Sequence, residues 1–313
     1  MLPAAFTPQF LARLETLKVR SRRKFQGSRP GGHLSPRRGA GLEFADYRRY
    51  TPGDDLRYID WKLYCRTDRH YIKLFQEEED LYTYLFLDLS ASMGYPASDG
   101  KYGAARDISL ALAYIVLAGD DAVKLHALTD NTENTKNKID TSATLGRATP
   151  FFRGRRRFAD ITDFFDDLKP AGTVHPPTAL TQHLHNLHRP GKAIWLSDFL
   201  FPMDVFQRSL NLLRAANFDI AVVQVLGKAE VDPPLLPAGA RFVDSESGGS
   251  ALVRFDAQAK KEYVSRLERH NRELRSSCHQ AGVHHALFMA GKERDEDLQN
   301  FVLRELPALG LLS

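Results

Sequence analysis

Three oxygen-bearing side chains stand two residues apart in the segment from residue 88 to residue 92. One carboxylate and two hydroxyls alternate there, in Asp88, Ser90 and Ser92. In an extended turn they can point to one side. Hard oxygen ligands of this kind suit Mg²⁺, which keeps several waters in its octahedron. The segment alone is a weak signal, because Asp and Ser side chains also satisfy turn amides.

The position of this segment strengthens the metal interpretation. It directly follows residues 81–87, a near-continuous apolar run that predicts a strand buried on both faces of a parallel sheet. Two more oxygen donors belong at the same carboxyl edge. Thr178 begins a predicted helix, and Asp198 follows the apolar strand predicted at 192–197.

Strands and helices alternate from residue 81 to the end of the sequence. This pattern predicts an α/β fold with a doubly wound, mostly parallel sheet of the Rossmann-like kind, which binds ligands at the carboxyl ends of its strands. The N-terminal residues 1–78 hold an amphipathic helix, a loop rich in Arg, Gly and Pro, and a smaller β-rich block. We therefore predict two domains, 1–78 and 79–313, the second with an irregular insert at about 229–256.

The order of the candidate ligands resembles the von Willebrand factor A-type family over roughly residues 81–306. That family builds a metal-ion-dependent adhesion site from D-x-S-x-S, a distant Thr and a more distant Asp. One metal position stays open for a carboxylate of the partner protein, because a cation with few anionic ligands still attracts an Asp or Glu. The resemblance implies that Mg²⁺ or Mn²⁺ is held by Asp88, Ser90, Ser92, Thr178 and Asp198.

The loop before the predicted helix departs from the family pattern. Pro176 and Pro177 precede Thr178, where the family has glycines. Thr173 and Thr181 are therefore alternative ligands, and the sequence leaves the choice among the three threonines open.

A second resemblance lies in the N-terminal block. Residues 43–61 are similar to the signature of domain-of-unknown-function family number 58, and the segments 33–35, 39–41 and 244–248 also fit its pattern. Members are usually encoded beside MoxR-type AAA+ ATPases and are thought to act with them in chaperone-like assembly or maturation of other proteins. The resemblance implies such a partner. Taken by itself, the block could be an interaction surface or a folding motif.

Bulk properties are typical of a soluble protein. The chain has 313 residues, of which 43% are hydrophobic and 26% charged, so it can bury a sizeable core. Cys65 and Cys278 are far apart and favour reduced thiols over a disulfide. Residues 1–18 make a poor signal peptide, and the longest apolar run, 111–118, is too short for a bilayer. We predict a cytoplasmic protein without a membrane span.

The sequence gives less support to two other functions, nucleic-acid binding and catalysis. Arginine-rich clusters at 20–38 and 153–157 could bind nucleic acid, which is the alternative prediction, but no nucleic-acid fold motif accompanies them. Catalysis lacks its motifs: Ser90 stands where haloacid dehalogenase-type phosphotransferases need a second Asp, and no phosphate loop or nucleophile elbow is present. We therefore predict a metal-dependent protein-interaction module and not an enzyme.

Three histidines cluster on the helix predicted after Thr178. They are His183, His185 and His188, and the sequence offers no further ligands with zinc spacing. This pattern predicts a surface helix that carries histidines.

Overall fold

The computed structural model describes most of the chain. The described residues are 2–22, 43–54, 56–76, 81–129, 147–185, 187, 189–235, 240–243, 249–253, 255–291 and 294–313. The family features expected at 33–35, 39–41 and 244–248 lie outside them. Contacts divide the chain into two units, Met1–Lys24 with Leu81–Ser313 and Phe25–Asp80.

Helices and strands have the following bounds. The strands are β1 Glu43–Arg49, β2 Tyr71–Gln76, β3 Tyr82–Asp88, β4 Ala122–Leu128, β5 Phe152–Arg153, β6 Lys192–Ser197, β7 Asp219–Gly227, β8 Ala240–Val243, β9 Ser250–Val253 and β10 His284–Ala290. The α-helices are α1 Pro8–Leu14, α2 Trp61–Thr67, α3 Lys101–Ala118, α4 Phe158–Asp166, α5 Pro176–Leu184, α6 Met203–Ala215, α7 Lys228–Val231, α8 Ala257–Gln280, α9 Arg294–Asn300 and α10 Leu306–Ala308.

The larger unit is built on a six-stranded sheet in the order β10-β7-β6-β3-β4-β5. Neighbours from β10 to β4 pair in parallel, and β5 pairs antiparallel with β4. The central strands β3, β6 and β7 are apolar runs buried along nearly their whole length, as strands covered on both faces must be. The predicted doubly wound, mostly parallel sheet is confirmed.

Two hydrophobic cores lie on opposite faces of this sheet. Alternate residues of β3 enter different cores: Leu85 and Leu87 pack with residues of α1, α3 and α4, and Tyr84 and Phe86 pack with residues of α5, α6 and α8. Each face is thereby closed by helices, and the carboxyl ends of the parallel strands form one edge.

Helix α3 is buried on nearly all sides between the sheet and α1, α4 and α9. A helix that is apolar all round requires such a position. Two of its residues, Lys101 and Asp107, are exceptions, because they are charged and still buried. Within the described ranges, no helix has both the length and the apolar character needed to cross a bilayer.

The N-terminal helix α1 packs with the larger unit. Phe10 is buried in the core beside α3, and the backbones of Lys18 and Ser313 exchange hydrogen bonds of 2.9 and 3.0 Å. The division predicted from the sequence grouped this helix with the rest of residues 1–78. The segment that follows the helix pairs with residues far away in the sequence. A local sequence pattern therefore does not indicate that α1 belongs to the larger unit.

The smaller unit contains the antiparallel pair β1–β2 and the short helix α2. A turn lies between these elements: the Asp54 N–H donates to the Thr51 carbonyl at 3.0 Å, and Gly53 has φ of +106°. Asp60 caps α2 by accepting the N–H groups of its first turn. Residues 43–61, which resemble the family signature, thus include residues whose hydrogen bonds stabilise the turn and the helix of this unit.

Candidate functional site

Asp88 ends β3 at the carboxyl edge of the sheet and is 3% exposed. Its Oδ1 accepts the Ser90 N–H at 2.8 Å, and its Oδ2 accepts the Ser197 hydroxyl at 2.7 Å. The carboxylate is therefore held in one orientation. Each oxygen can accept more than one such bond, so both keep capacity for a cation.

The two serine hydroxyls lie together in the turn that follows. Ser90 Oγ and Ser92 Oγ are 2.9 Å apart, and a 3₁₀ turn covers Ala91–Gly94. The Ala91 N–H donates to the Gly172 carbonyl at 2.8 Å, which fixes the turn against the loop before α5. The alternation seen in the sequence thus places both hydroxyls side by side.

Asp198 follows β6, the strand that pairs with β3. Its side chain is buried, and the residue is 2% exposed. Its Oδ1 accepts the Leu200 N–H at 3.2 Å, and its backbone carbonyl accepts the Gln224 amide at 3.1 Å. Adjacent parallel strands therefore deliver two buried carboxylates to the same edge.

The two carboxylates interact electrostatically. Burial, followed by the negative charge of Asp198, raises the pKa of Asp88 to about 6, against the opposing hydrogen bonds from Ser197 and Ser90. A pair of like charges out of water is unfavourable. A bound cation would relieve that repulsion.

A buried ammonium group completes the charges of the site. Lys101 Nζ lies 3.1 Å from Asp198 Oδ2 and 2.5 Å from Glu230 Oε1, and the lysine side chain is fully buried. The other oxygen of Glu230 accepts the Gly227 N–H at 2.8 Å. This ion-pair network, Asp198–Lys101–Glu230, links the edge of the sheet to α3 and α7.

Sequence reasoning missed Ser197, Lys101 and Glu230. Two of them had a positional signal, because Ser197 ends a parallel strand and Glu230 comes three residues after one. Lys101 had a weaker signal: it begins a helix that is mostly apolar.

Helix α5 begins at Pro176, two residues before the predicted start, because proline suits the first helical turn. Thr178 is consequently inside the helix and exposed, and its Oγ1 lies 2.8 Å from His175 Nδ1. Thr181 donates to the Pro177 carbonyl at 2.7 Å. The hydrogen bonds of both threonines are local to this helix.

The alternative ligand Thr173 has a different setting. It is exposed and follows Gly172, whose carbonyl binds the turn that carries the serines. Contacts thus bring together Asp88, Ser90, Ser92 and Asp198 with the backbone beside Thr173. They leave Thr178 bonded within its own helix.

The gathered residues suit a hard divalent cation. Carboxylate and hydroxyl oxygens are ligands that Mg²⁺ and Mn²⁺ accept, with waters completing the shell. Among the residues that the structure describes, no three His, Cys, Asp or Glu side chains are placed to hold a metal. A metal at this edge would therefore depend on the serine hydroxyls and on water.

One histidine of α5 is buried, which differs from the predicted surface helix. His183 is 5% exposed, and its Nδ1 lies 2.9 Å from Nδ1 of His126 on β4. Its Nε2 lies 3.2 Å from the Ala127 carbonyl, which can only accept. We therefore assign the proton of His183 to Nε2 and that of His126 to Nδ1. Of the other two, His185 is exposed, and His188 lies outside the described residues.

The second arginine cluster makes ion pairs within the chain. Arg155 lies 2.7 Å from Glu15, and Arg157 lies 3.1 Å from Asp160 while stacking on Phe152. Arginines engaged in this way do not favour the nucleic-acid alternative.

Comparison with known proteins identifies similar chains. Residues 46–273 match the family described as Protein of unknown function DUF58. Uncharacterized proteins of Mycobacterium bovis and Mycobacterium tuberculosis are each 25% identical over 290 residues, which cover 88% of this chain and 83% of each relative.

Solved structures with a similar chain path include three of low identity. The conserved hypothetical protein BatB from Bacteroides thetaiotaomicron is 11% identical with a TM-score of 0.39, over 74% of this chain and 98% of that one. A von Willebrand factor type A protein from Catenulispora acidiphila is 12% identical with a TM-score of 0.38, over 75% and 44%. The pilus adhesin SpaC from Lactobacillus rhamnosus GG is 10% identical with a TM-score of 0.41, over 76% and 31%.

Proposed function

The chain belongs to the DUF58 family of proteins of unknown function, and on that premise we propose that it is a protein-docking module whose docking site holds a divalent metal ion. Mg²⁺ or Mn²⁺ is bound by oxygens of Asp88, Ser90, Ser92 and Asp198, with waters and one threonine. Thr178 remains the first candidate for that threonine and Thr173 the second.

One observation supports this function above the others. Asp88 and Asp198 are both buried at the carboxyl edge of the sheet, close enough that the charge of Asp198 raises the pKa of Asp88. The adjacent hydroxyls of Ser90 and Ser92 add neutral oxygens to the same place. A divalent ion there keeps positive charge to spare, so it attracts a carboxylate from a partner protein.

The proposed partner is an AAA+ ATPase of the MoxR type, with which the protein acts in chaperone-like assembly or maturation of other proteins. Support for this partner is the resemblance of residues 43–61 to the family signature. In this scheme the partner hydrolyses ATP and supplies an Asp or Glu to the metal, while the chain itself catalyses no reaction. Both cysteines are free thiols, which supports a cytoplasmic setting.

The test begins with thermal unfolding in EDTA and in millimolar Mg²⁺ or Mn²⁺. An ion present at about 100 times its Kd stabilises the fold by about 2.7 kcal/mol, which a melt resolves. We expect wild type to gain this stability and Asp88→Ala to gain none. The matched control is Asp219→Ala, because Asp219 is also buried but lies at the amino end of β7; it should be less stable yet still respond to metal.

The second arm measures docking itself. The purified chain is used to capture a purified MoxR-type ATPase, with and without EDTA. We expect EDTA and Asp88→Ala each to abolish capture, and Asp219→Ala to retain it. Capture that survives both EDTA and Asp88→Ala would refute docking through the metal.

A further inference from the structure

We infer that Lys101 sets the metal affinity of this site: its buried ammonium competes with the divalent ion for Asp198, so that the wild-type chain binds the ion more weakly than the same chain without this charge. The inference rests on the proposed metal-dependent function. It adds a residue that lies outside the expected ligand set.

The position of Lys101 is unfavourable for a cation. It is 1% exposed, and it is the first residue of the 18-residue helix α3. Burial of an ammonium without partners is costly. The amino end of a helix carries partial positive charge, which disfavours a cation further. Its two carboxylate partners offset these two costs.

The ammonium is held from two sides by anchored carboxylates. Asp198 accepts it through Oδ2 while Oδ1 accepts the Leu200 N–H. Glu230 accepts it through Oε1 while Oε2 accepts the Gly227 N–H. Because a backbone N–H fixes each carboxylate, the lysine has a defined place beside the site.

The junction between α3 and α7 is also tightly packed. Asp99, two residues before the lysine, accepts the Ala229 N–H at 2.7 Å. A Cβ placed on Gly227 would lie 2.3 Å from Asp99 Oδ2, so only glycine fits at that corner. This packing keeps Glu230 next to Lys101.

The charges of the cluster explain the expected effect. Asp198 and Glu230 contact the ammonium, and Asp88 lies close enough to Asp198 for their charges to interact. These three carboxylates and one ammonium together carry two net negative charges when all four groups are ionised. Removal of the ammonium leaves three negative charges for an incoming ion, and it frees Asp198 Oδ2. Coulomb interactions across a few ångströms of protein are strong enough to change a dissociation constant by at least about ten-fold.

The experiment measures Mn²⁺ binding from the electron paramagnetic resonance signal of the free ion, in wild type, Lys101→Met and Asp88→Ala. We expect the Mn²⁺ Kd of Lys101→Met to be lower than that of wild type by at least about ten-fold. The matched control is Lys192→Met. Lys192 is an equally buried lysine, 2.9 Å from Asp219 at the amino ends of β6 and β7, and its loss should leave the Kd unchanged.

A second variant covers the case in which Lys101→Met fails to fold. Of the two carboxylates that contact the ammonium, Glu230→Gln leaves Asp198 as the charged one. The ammonium then competes more strongly with Mn²⁺ for Asp198, so Mn²⁺ should bind more weakly than to wild type. An unchanged or tighter Kd in Glu230→Gln would overturn the inference.

The outcomes separate the inference from the proposed function. If Asp88→Ala loses Mn²⁺ but Lys101→Met binds it as wild type does, the metal site stands and the role of Lys101 is refuted. If Asp88→Ala binds Mn²⁺ as well as wild type does, or if neither wild type nor any variant binds it, the proposed metal site fails and the inference fails with it.

Discussion

The negative charge of Asp88 is costly to the metal-free fold for two reasons. The residue is 3% exposed, and it lies near the charge of Asp198, so both its burial and its neighbour disfavour ionisation. The hydrogen bonds that it accepts from the Ser90 N–H and the Ser197 hydroxyl recover only part of that cost. A neutral side chain of the same shape should therefore suit the metal-free protein better.

We predict that Asp88→Asn stabilises the metal-free protein by about 1–2 kcal/mol at pH 8, because the amide removes a buried charge. Its oxygen can accept the Ser90 N–H, and its NH₂ group can donate to the hydroxyl oxygen of Ser197. Urea unfolding in EDTA measures the change. Addition of Mg²⁺ should then stabilise wild type and leave Asp88→Asn unaffected. A variant that is less stable than wild type in EDTA would show that the charge of Asp88 is already compensated without metal.

Single residues also show how far the sequence could predict the site. Asp88 and Asp198 were identifiable because each comes at the end of an apolar strand, and strand ends converge at one edge. Lys101 was not, because a lysine at the end of a helix usually reaches solvent. The threonine was not either, since the helix starts at Pro176, two residues before the start that the sequence predicted.

At the level of elements, a buried histidine pair joins α5 to β4. His183 and His126 share a hydrogen bond of 2.9 Å, and His183 also reaches the Ala127 carbonyl. Burial lowers the pKa of His183 to about 4, and burial together with the charges of His183 and Lys124 lowers the pKa of His126 well below its usual value. Both rings are therefore neutral in the folded protein at pH 7, and their hydrogen bond needs one ring without a proton on Nδ1.

We predict that this pair makes the fold acid-sensitive. In the unfolded chain both histidines gain protons near pH 6.5. In the folded protein His183 stays neutral to about pH 4, and the pKa of His126 lies well below its usual value. Unfolding therefore takes up protons, and stability falls as the pH drops from about 6.5 towards 4. At pH 5 the loss is up to about 2 kcal/mol for His183 alone.

Urea unfolding at about pH 7.5 and about pH 5 tests this prediction. The double variant His126→Phe/His183→Leu should lose less stability between the two pH values than wild type does. His285, whose pKa burial also lowers to about 4, remains in both proteins, so the difference isolates the pair. Equal losses in the two proteins would assign the acid sensitivity to other groups.

At the scale of the whole molecule, the sheet was predictable and the membership of α1 was not. Continuous apolar runs such as residues 219–227 identify strands buried on both faces, and their alternation with helices determines a parallel order. The association of α1 with the larger unit depends on backbone pairing between Lys18 and Ser313, and on Asp219 accepting the Ser21 hydroxyl at 2.9 Å. Contacts between residues so far apart in sequence leave no periodic signal.

We predict that Phe10→Ala destabilises the larger unit by about 3–5 kcal/mol, because Phe10 is 1% exposed in the core that contains α3 and its truncation leaves a cavity. Gln9→Ala is the matched control on the same helix: Gln9 is exposed, so its loss should change stability by no more than about 0.5 kcal/mol. Chemical unfolding is followed by tryptophan fluorescence in a Trp61→Phe background, so that the signal comes from Trp195, which is buried on the opposite face of the sheet and reports on the whole unit. A large effect of Phe10→Ala at that probe would show that α1 and the sheet unfold together. An effect as small as that of Gln9→Ala would mean that the helix is detached from the unit in solution.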